Sequence, residues 1–225
     1  MKPWQIKLEQ ALAVLDAPAV LSRALLEQFG ATVPRDDRGL HYIGASSWTY
    51  WIKGLVERGA LQPVQRGLYL NCLRARPGTL ADAVPWLQRD AIVSLNTVLG
   101  DAGVLNNPSR VVTAVVPIDP GAPPPSRLGR RQTKAGVAHF YGMPRAILEA
   151  GALEDRLEDN PNADHIRATP EKALVDWLYL GASPRSRRPL PPRGDIDLEM
   201  LDQKRLVRLA RAAGVKDVLE KWREG

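Results

Sequence analysis

The hydrophobic positions near the start recur at helical spacing. Trp4, Leu8, Ala11, Leu12 and Leu15 alternate with the polar Lys7, Glu9 and Gln10, which predicts a helix over 4–15, stopped by Asp16 and Pro18. Val20, Leu21, Ala24, Leu25 and Phe29 predict a second helix over 19–29, with Gly30 as its stop. Residues 31–44 are polar and rich in turn formers. A third helix is expected from Ser46 or Ser47, either of which has the side-chain oxygen of a helix cap, to about Arg58. Its apolar face holds Trp48, Trp51, Ile52, Leu55 and Val56, with Ser47, Tyr50, Lys53, Gly54 and Glu57 nearer the opposite face. Leu61 to Leu70 then reads as a β-hairpin with Arg66 and Gly67 at its tip.

Three short helices followed by a hairpin is the order of a winged helix-turn-helix domain. Beyond it the pattern changes. Residues 77–105 look helical with breaks, and Ala91, Ile92 and Val93 are included in that reading. The β-branched run Val111 to Val116 predicts a buried strand, and Gly136 to Tyr141 a second. Asp119 to Pro125 contains four prolines and must be a loop, because proline removes ladder donors. Thr169 followed by Pro170 predicts a capped helix whose buried stripe is Ala173, Leu174, Trp177 and Leu178. A basic, proline-rich loop over 182–194, a helix over 202–213 and a short tail helix after Gly214 complete the chain. The expected fold is therefore an α/β or α+β two-domain protein. A winged helix-turn-helix occupies 1–76, and a mixed α/β domain occupies 77–225.

Charge adds a candidate chemistry. The 225 residues carry a formal net charge of +6, which favours a polyanionic partner through long-range attraction. Residues 50–76 hold five Lys or Arg against one Glu. An α-helix fits the DNA major groove, and the third helix is the natural reader in this arrangement. Candidate DNA-contacting residues are Ser46, Ser47, Tyr50, Lys53 and Gly54 on that helix. Gln65, Arg66 and Gly67 at the hairpin tip join them, with Arg74 and Arg76 extending the positive strip. Arg127, Arg130, Arg131 and Lys134 form a later basic run, and Arg185, Arg187, Arg188 and Arg193 another; both are candidate phosphate contacts, unless they are solvated loops. Trp48 and Trp51 are read as core residues, not as base-stacking platforms.

Enzyme chemistry finds little support. His41, His139 and His165 lack metal-ligand spacing, and Cys72 is the sole cysteine, so neither a metal site, a disulfide nor a cofactor is expected. Asp195 and Asp197 alternate around Ile196, but acids in such a loop are ordinarily solvated. No nucleophile constellation or phosphate-binding loop accompanies them. The start has no long apolar core of a signal peptide, and no stretch reaches the length of a membrane helix, which predicts a cytoplasmic protein without membrane contact.

Two stretches resemble a known family. Gly54 to Leu61, continuing to Arg66-Gly67-Leu68-Tyr69, is similar to the recognition-helix end and wing of the AbiEi-type antitoxins of type IV toxin–antitoxin systems. Ala168-Thr169-Pro170-Glu171-Lys172-Ala173-Leu174-Val175-Asp176-Trp177-Leu178-Tyr179 resembles the characteristic helix of that family's C-terminal domain. The resemblance implies an N-terminal winged helix that represses its own operon on repeated operator DNA. It also implies a C-terminal domain that counters a nucleotidyltransferase-like toxin without a stable complex, in a monomer or weak dimer. It singles out Thr169, Pro170, Glu171, Lys172 and Asp176 as a maintained surface or a helix-stabilising cap. The chain departs from the family pattern in its loops at 119–126 and 182–194. A stand-alone regulator, or a protein-binding antitoxin whose winged helix does not read DNA, are the alternatives.

Overall fold

The computed structural model describes residues 2–14, 16–32, 43–159, 164–186 and 188–225. Leu15, most of the expected turn-rich segment with His41, and Arg187 lie outside the described residues. The fold is mixed α+β, with ten α-helices and two sheets among the described residues. It divides into two compact units: Met1–Ala83 with Thr133–Gly136, and Val84–Gln132 with Val137–Gly225.

The first unit begins with α1 (Pro3–Ala13), where Pro3 takes the first helical position and the Gln5 side chain accepts the Lys2 amide at 2.6 Å. Leu8 and Leu12 are buried one helical turn apart. Next comes a short strand, β1 (Val20–Ser22), and then α2 (Arg23–Thr32). Their spacing predicted Val20 and Leu21 to be helical, but they form a strand. They pair antiparallel with Leu70 and Tyr69, a contact fifty residues away that local periodicity does not register. The Ser22 hydroxyl accepts the Leu25 amide at 3.1 Å, which starts α2. Gly30 does not stop α2; it lies inside the helix.

Helix α3 (Ala45–Glu57) follows. Its N-cap is Gly44 and no side-chain cap bond is made, so neither Ser46 nor Ser47 caps it; both lie within the first turn. Trp48, Trp51, Ile52 and Leu55 are buried. Trp4 of α1 lies against Trp48 and Trp51, with the three ring centroids 5.5–5.6 Å apart in tilted and edge-on arrangements. Strands β2 (Leu61–Gln65) and β3 (Leu68–Asn71) form the expected hairpin, giving a sheet of order β1-β3-β2. Gly67 turns the tip at φ +75°, a conformation that L side chains resist. Asn71, the last residue of β3, is fully buried. Its amide donates to the Leu12 and Pro18 carbonyls at 2.9 and 3.2 Å, and its oxygen accepts the Leu73 amide at 3.1 Å.

The second unit holds α4 (Val84–Leu87), β4 (Ile92–Val93), α5 (Asn96–Asp101), β5 (Val112–Ile118), β6 (Gly129–Thr133) and β7 (Gly136–Pro144). The four residues from the end of β6 to the start of β7, Thr133–Gly136, count with the first unit, where the Lys134 amide donates to the Val64 carbonyl at 3.0 Å. The sheet order is β4-β5-β7-β6, with β5 and β7 parallel over seven residues from Val112–Ala138 to Ile118–Pro144. Ile92 and Val93 are a strand and not part of a broken helix; they pair with Val115 and Ala114. Helices α6 (Arg145–Leu148), α7 (Leu153–Arg156), α8 (Pro170–Ala182), α9 (Gln203–Ala212) and α10 (Lys216–Glu224) follow.

Helix α8 is the central one: it packs on α5, α7, α9 and α10, and nine of its residues are buried. Thr169 caps it by accepting the Lys172 amide at 3.3 Å and donates its own hydroxyl to the Asp155 carbonyl at 2.6 Å. Asp202 caps α9 in the same way, accepting the Lys204 and Arg205 amides at 2.9 and 3.0 Å.

Candidate nucleic-acid interface

Helix α3 has two unlike faces. Its apolar face closes the core with Leu8, Leu12, Leu21, Leu26 and Leu61. On the solvent side, Tyr50 is 77% exposed and the Lys53 side chain 71% exposed, with Nζ 3.7 Å from the Glu57 carboxylate one turn on. Ser46 is exposed, while Ser47 and Gly54 are half-buried. Space around the Gly54 α-carbon is open, so another backbone can come close there. An exposed i, i+4 pair such as Lys53–Glu57 is weak, so Lys53 is available to a stronger anion.

Anchoring residues hold α3 in place, and sequence reading missed them. Glu9 of α1 accepts both the Trp51 indole N–H at 3.2 Å and the Arg58 guanidinium at 2.9 Å. Arg23, at the start of α2, donates to the Ala45 carbonyl at 3.3 Å and to Glu27 at 3.0 Å. Its backbone amide also donates to the Gly67 carbonyl at the hairpin tip, at 3.2 Å. Arg23 thus touches both the beginning of α3 and the turn between β2 and β3. Linear charge patterning gives no sign of this, because the partners are twenty and more residues away.

The hairpin leaves Gln62, Gln65 and Arg66 exposed, while Leu61, Val64 and Leu68 point inward. Arg76 is exposed as well. Arg74 departs from the expected positive strip: it is only 8% exposed, packed into the fold and not presented to solvent.

Among the described residues of the later basic runs, the charges do not stay together. Arg127 and Arg130 are exposed, but strand β6 sends Arg131 the other way, where it is half-buried and donates to the Leu87 carbonyl. Lys134 is exposed, and so is Arg185. Arg188 is not part of a solvated loop. Its guanidinium lies 4.3 Å from the Trp177 ring centroid and 4.7 Å from that of Tyr141, and it donates to the Tyr141 hydroxyl at 2.6 Å and to the Asn96 side chain. Burial pulls its pKa below the ordinary arginine value, yet the group stays cationic. Arg193 similarly sits 5.5 Å from the Trp222 ring and donates to the Ile196 carbonyl.

The Thr169–Asp176 stretch is not a surface. Glu171, Lys172 and Asp176 are all buried. Lys172 bonds Asp176 directly, with the two side chains 3% and 1% exposed, and donates to the Ile147 carbonyl at 3.2 Å. Asp176 also accepts the Ser94 hydroxyl at 2.8 Å. Glu171 accepts the Asp202 amide at 2.9 Å and lies 3.4 Å from Arg205. These groups join α8 to β4, α6 and the start of α9. No external contact can reach them without opening the unit.

This element order and packing have a counterpart among solved structures. The Rv2827c protein from Mycobacterium tuberculosis shares this fold. Its crystal structure matches 97% of this chain and 78% of its own length at 20% identity, with a TM-score of 0.53. No protein-family model matches the sequence, and no curated protein matches it. Among the described residues, no group of three or more His, Cys, Asp or Glu is placed to hold a metal ion, and no helix is long and apolar enough to cross a membrane.

Proposed function

We propose that the first unit is a winged helix-turn-helix that binds double-stranded DNA, with α3 as reader and the β2–β3 hairpin as wing. The observation that carries this reading is the division of α3. Its tryptophan-bearing side is sunk in the core, while Tyr50 and Lys53 stand out from the other side. A helix held so firmly on one face presents the other at a fixed angle, which is what groove insertion needs. Ser46, Ser47, Tyr50, Lys53 and Gly54 would lie along the groove. Arg66 would set a guanidinium against a phosphate or in the minor groove beside the wing, with Gln65 and Arg76 nearby. The net charge of +6 supports the same partner.

The resemblance to AbiEi-type antitoxins supports a fuller reading: a cytoplasmic antitoxin and autorepressor that binds operator repeats as a monomer or weak dimer. Its second unit counters a nucleotidyltransferase-like toxin without a lasting complex. In this reading the Thr169–Asp176 motif is a signature of folding, because its charged side chains are spent inside the unit. Any surface acting on the toxin pathway lies elsewhere.

Footprinting on the DNA upstream of the coding sequence tests the proposal. A protected segment is expected, with Lys53→Ala altering base discrimination and Arg66→Ala weakening all sequences alike. No protection, or protection indifferent to both substitutions, overturns it. An adjacent nucleotidyltransferase-like reading frame, whose toxicity the chain relieves, is the test of the antitoxin role.

A further inference from the structure

The second unit contains a cleft of about 1010 Å³ over strand β7. Its walls come from β5, β6, β7, α8 and the proline-rich segment after α8. Ile118, Leu128, Phe140 and Leu180 give it an apolar lining, and Asn96, Tyr141, Arg185 and Arg188 bring donors and positive charge. None of the described lining residues is acidic. The volume is that of a site for a drug-sized molecule.

Arg188 is the unusual member. The two groups that accept from it, the Tyr141 hydroxyl and the Asn96 amide oxygen, are both neutral. Its Nε is buried with no acceptor among the described residues. The Tyr141 hydroxyl, having accepted from Arg188, is left to donate to His139 Nδ1 at 3.3 Å, and the two rings stack 4.2 Å apart. His139 adds no second positive charge at neutral pH: burial, then the charges of Arg188 and Arg130, push its pKa below the usual histidine value. A cation fixed between two aromatic rings, facing neutral partners in a cleft with no carboxylate among its described lining, is a preformed seat for an anion.

We propose that this cleft binds an amphipathic organic anion, an apolar ring system or chain ending in a carboxylate, phosphate or sulfonate. The head group meets Arg188, with Arg185 at the open rim, and the apolar body lies along Leu128, Ile118 and Phe140. The proposal is independent of DNA binding by the first unit. It requires no rearrangement of the charged network in α8.

The test uses the full chain and the fluorescent probe 8-anilinonaphthalene-1-sulfonate, with N-phenyl-1-naphthylamine as its uncharged counterpart. One molecule of the sulfonate is expected to bind per chain and to raise the Tm, as a ligand of the native state does. The uncharged probe should bind about tenfold more weakly or worse. Decanoate and naphthyl phosphate should each displace the sulfonate, and their relative strength tells whether the head is a carboxylate or a phosphate. Arg188→Met should weaken the sulfonate about tenfold or more. Leu128→Trp, which fills the apolar wall and leaves Arg188 in place, should abolish binding with the circular dichroism unchanged. It keeps the question answerable if Arg188→Met fails to fold. Equal binding of the two probes, or sulfonate binding indifferent to Leu128→Trp, overturns the proposal.

Discussion

Trp48 occupies the space that a Cβ on Gly30 would need: the ring carbons Cη2 and Cζ2 lie 2.7 Å from that position. The glycine in α2 is thus a seat for the tryptophan of α3. Replacing it with alanine gains about 1 kcal/mol of helix propensity but forces the ring out of the core. Overpacking costs about 1–3 kcal/mol, so the steric term wins. Gly30→Ala is expected to lower stability in urea denaturation, and a stabilised variant would show that Trp48 yields freely.

Tyr50 and Trp51 are neighbours with opposite fates. Tyr50→Ala removes a side chain that is 77% exposed and should change stability by no more than about 0.5 kcal/mol. Trp51→Ala empties a core position and removes the Glu9 contact, at a cost of about 3–5 kcal/mol. Under the DNA-binding proposal, Tyr50→Ala nevertheless weakens operator binding in a mobility-shift titration. Unchanged affinity would take Tyr50 out of the interface.

If Lys53 and Arg66 each neutralise one phosphate, the slope of log affinity against log salt falls by about 1 for each substitution to alanine. The double variant should lose about 2. A slope indifferent to both removes the phosphate role, whatever happens to affinity at one salt concentration.

The Lys172–Asp176 pair is sealed inside the second unit. Lys172→Met leaves the Asp176 carboxylate buried beside the Ser94 hydroxyl without its cation, and should cost about 3–5 kcal/mol. Adding Asp176→Leu should recover much of that loss, because the uncompensated charge is then gone. Chemical denaturation of the single and double variants reads the difference; a double variant no better than the single would place the cost elsewhere.

Asp155 bridges α7 to α9. Arg208 donates to its carboxylate at 2.8 and 3.1 Å, and Arg205 adds a contact at 3.4 Å. The Arg208 hydrogen bonds, together with the charges of both arginines, hold its pKa below the usual carboxylate value against the opposing effect of burial. The unfolded chain therefore takes up a proton first as pH falls. Stability contributed by Asp155 is present above the ordinary aspartate range and is lost as pH drops through the lowered folded value. Tm should decline less steeply below about pH 4 in Asp155→Asn than in the unaltered protein.

Much of this architecture was legible in the pattern of residues. The buried face of α3, the turn at Gly67 and the Thr169-Pro170 helix start are set by local spacing and local chemistry, and the structure has them where the sequence puts them. What escaped depends on distant partners. Val20 and Leu21 look helical until Tyr69 and Leu70 are beside them. Arg130 and Arg131 read as a solvated run because a strand so charged has no apolar alternation to betray it. Arg188 looked like one of several loop charges, and only the convergence of Trp177, Tyr141 and Asn96 distinguishes it. Of the candidate DNA residues, the fold keeps Tyr50, Lys53, Arg66 and Arg76 in solvent and withdraws Arg74, a burial that charge counting has no means to detect.

Strand β6 stands last in the order of its sheet, with Arg130 exposed upon it and Gly129 beside that residue at φ +90°. A second molecule approaching that border to prolong the ladder would bring like charge against like charge, across backbone already bent out of plane. The Arg130 guanidinium, which suggested a phosphate contact in the linear sequence, is thus placed to disfavour fibrous self-association along this border.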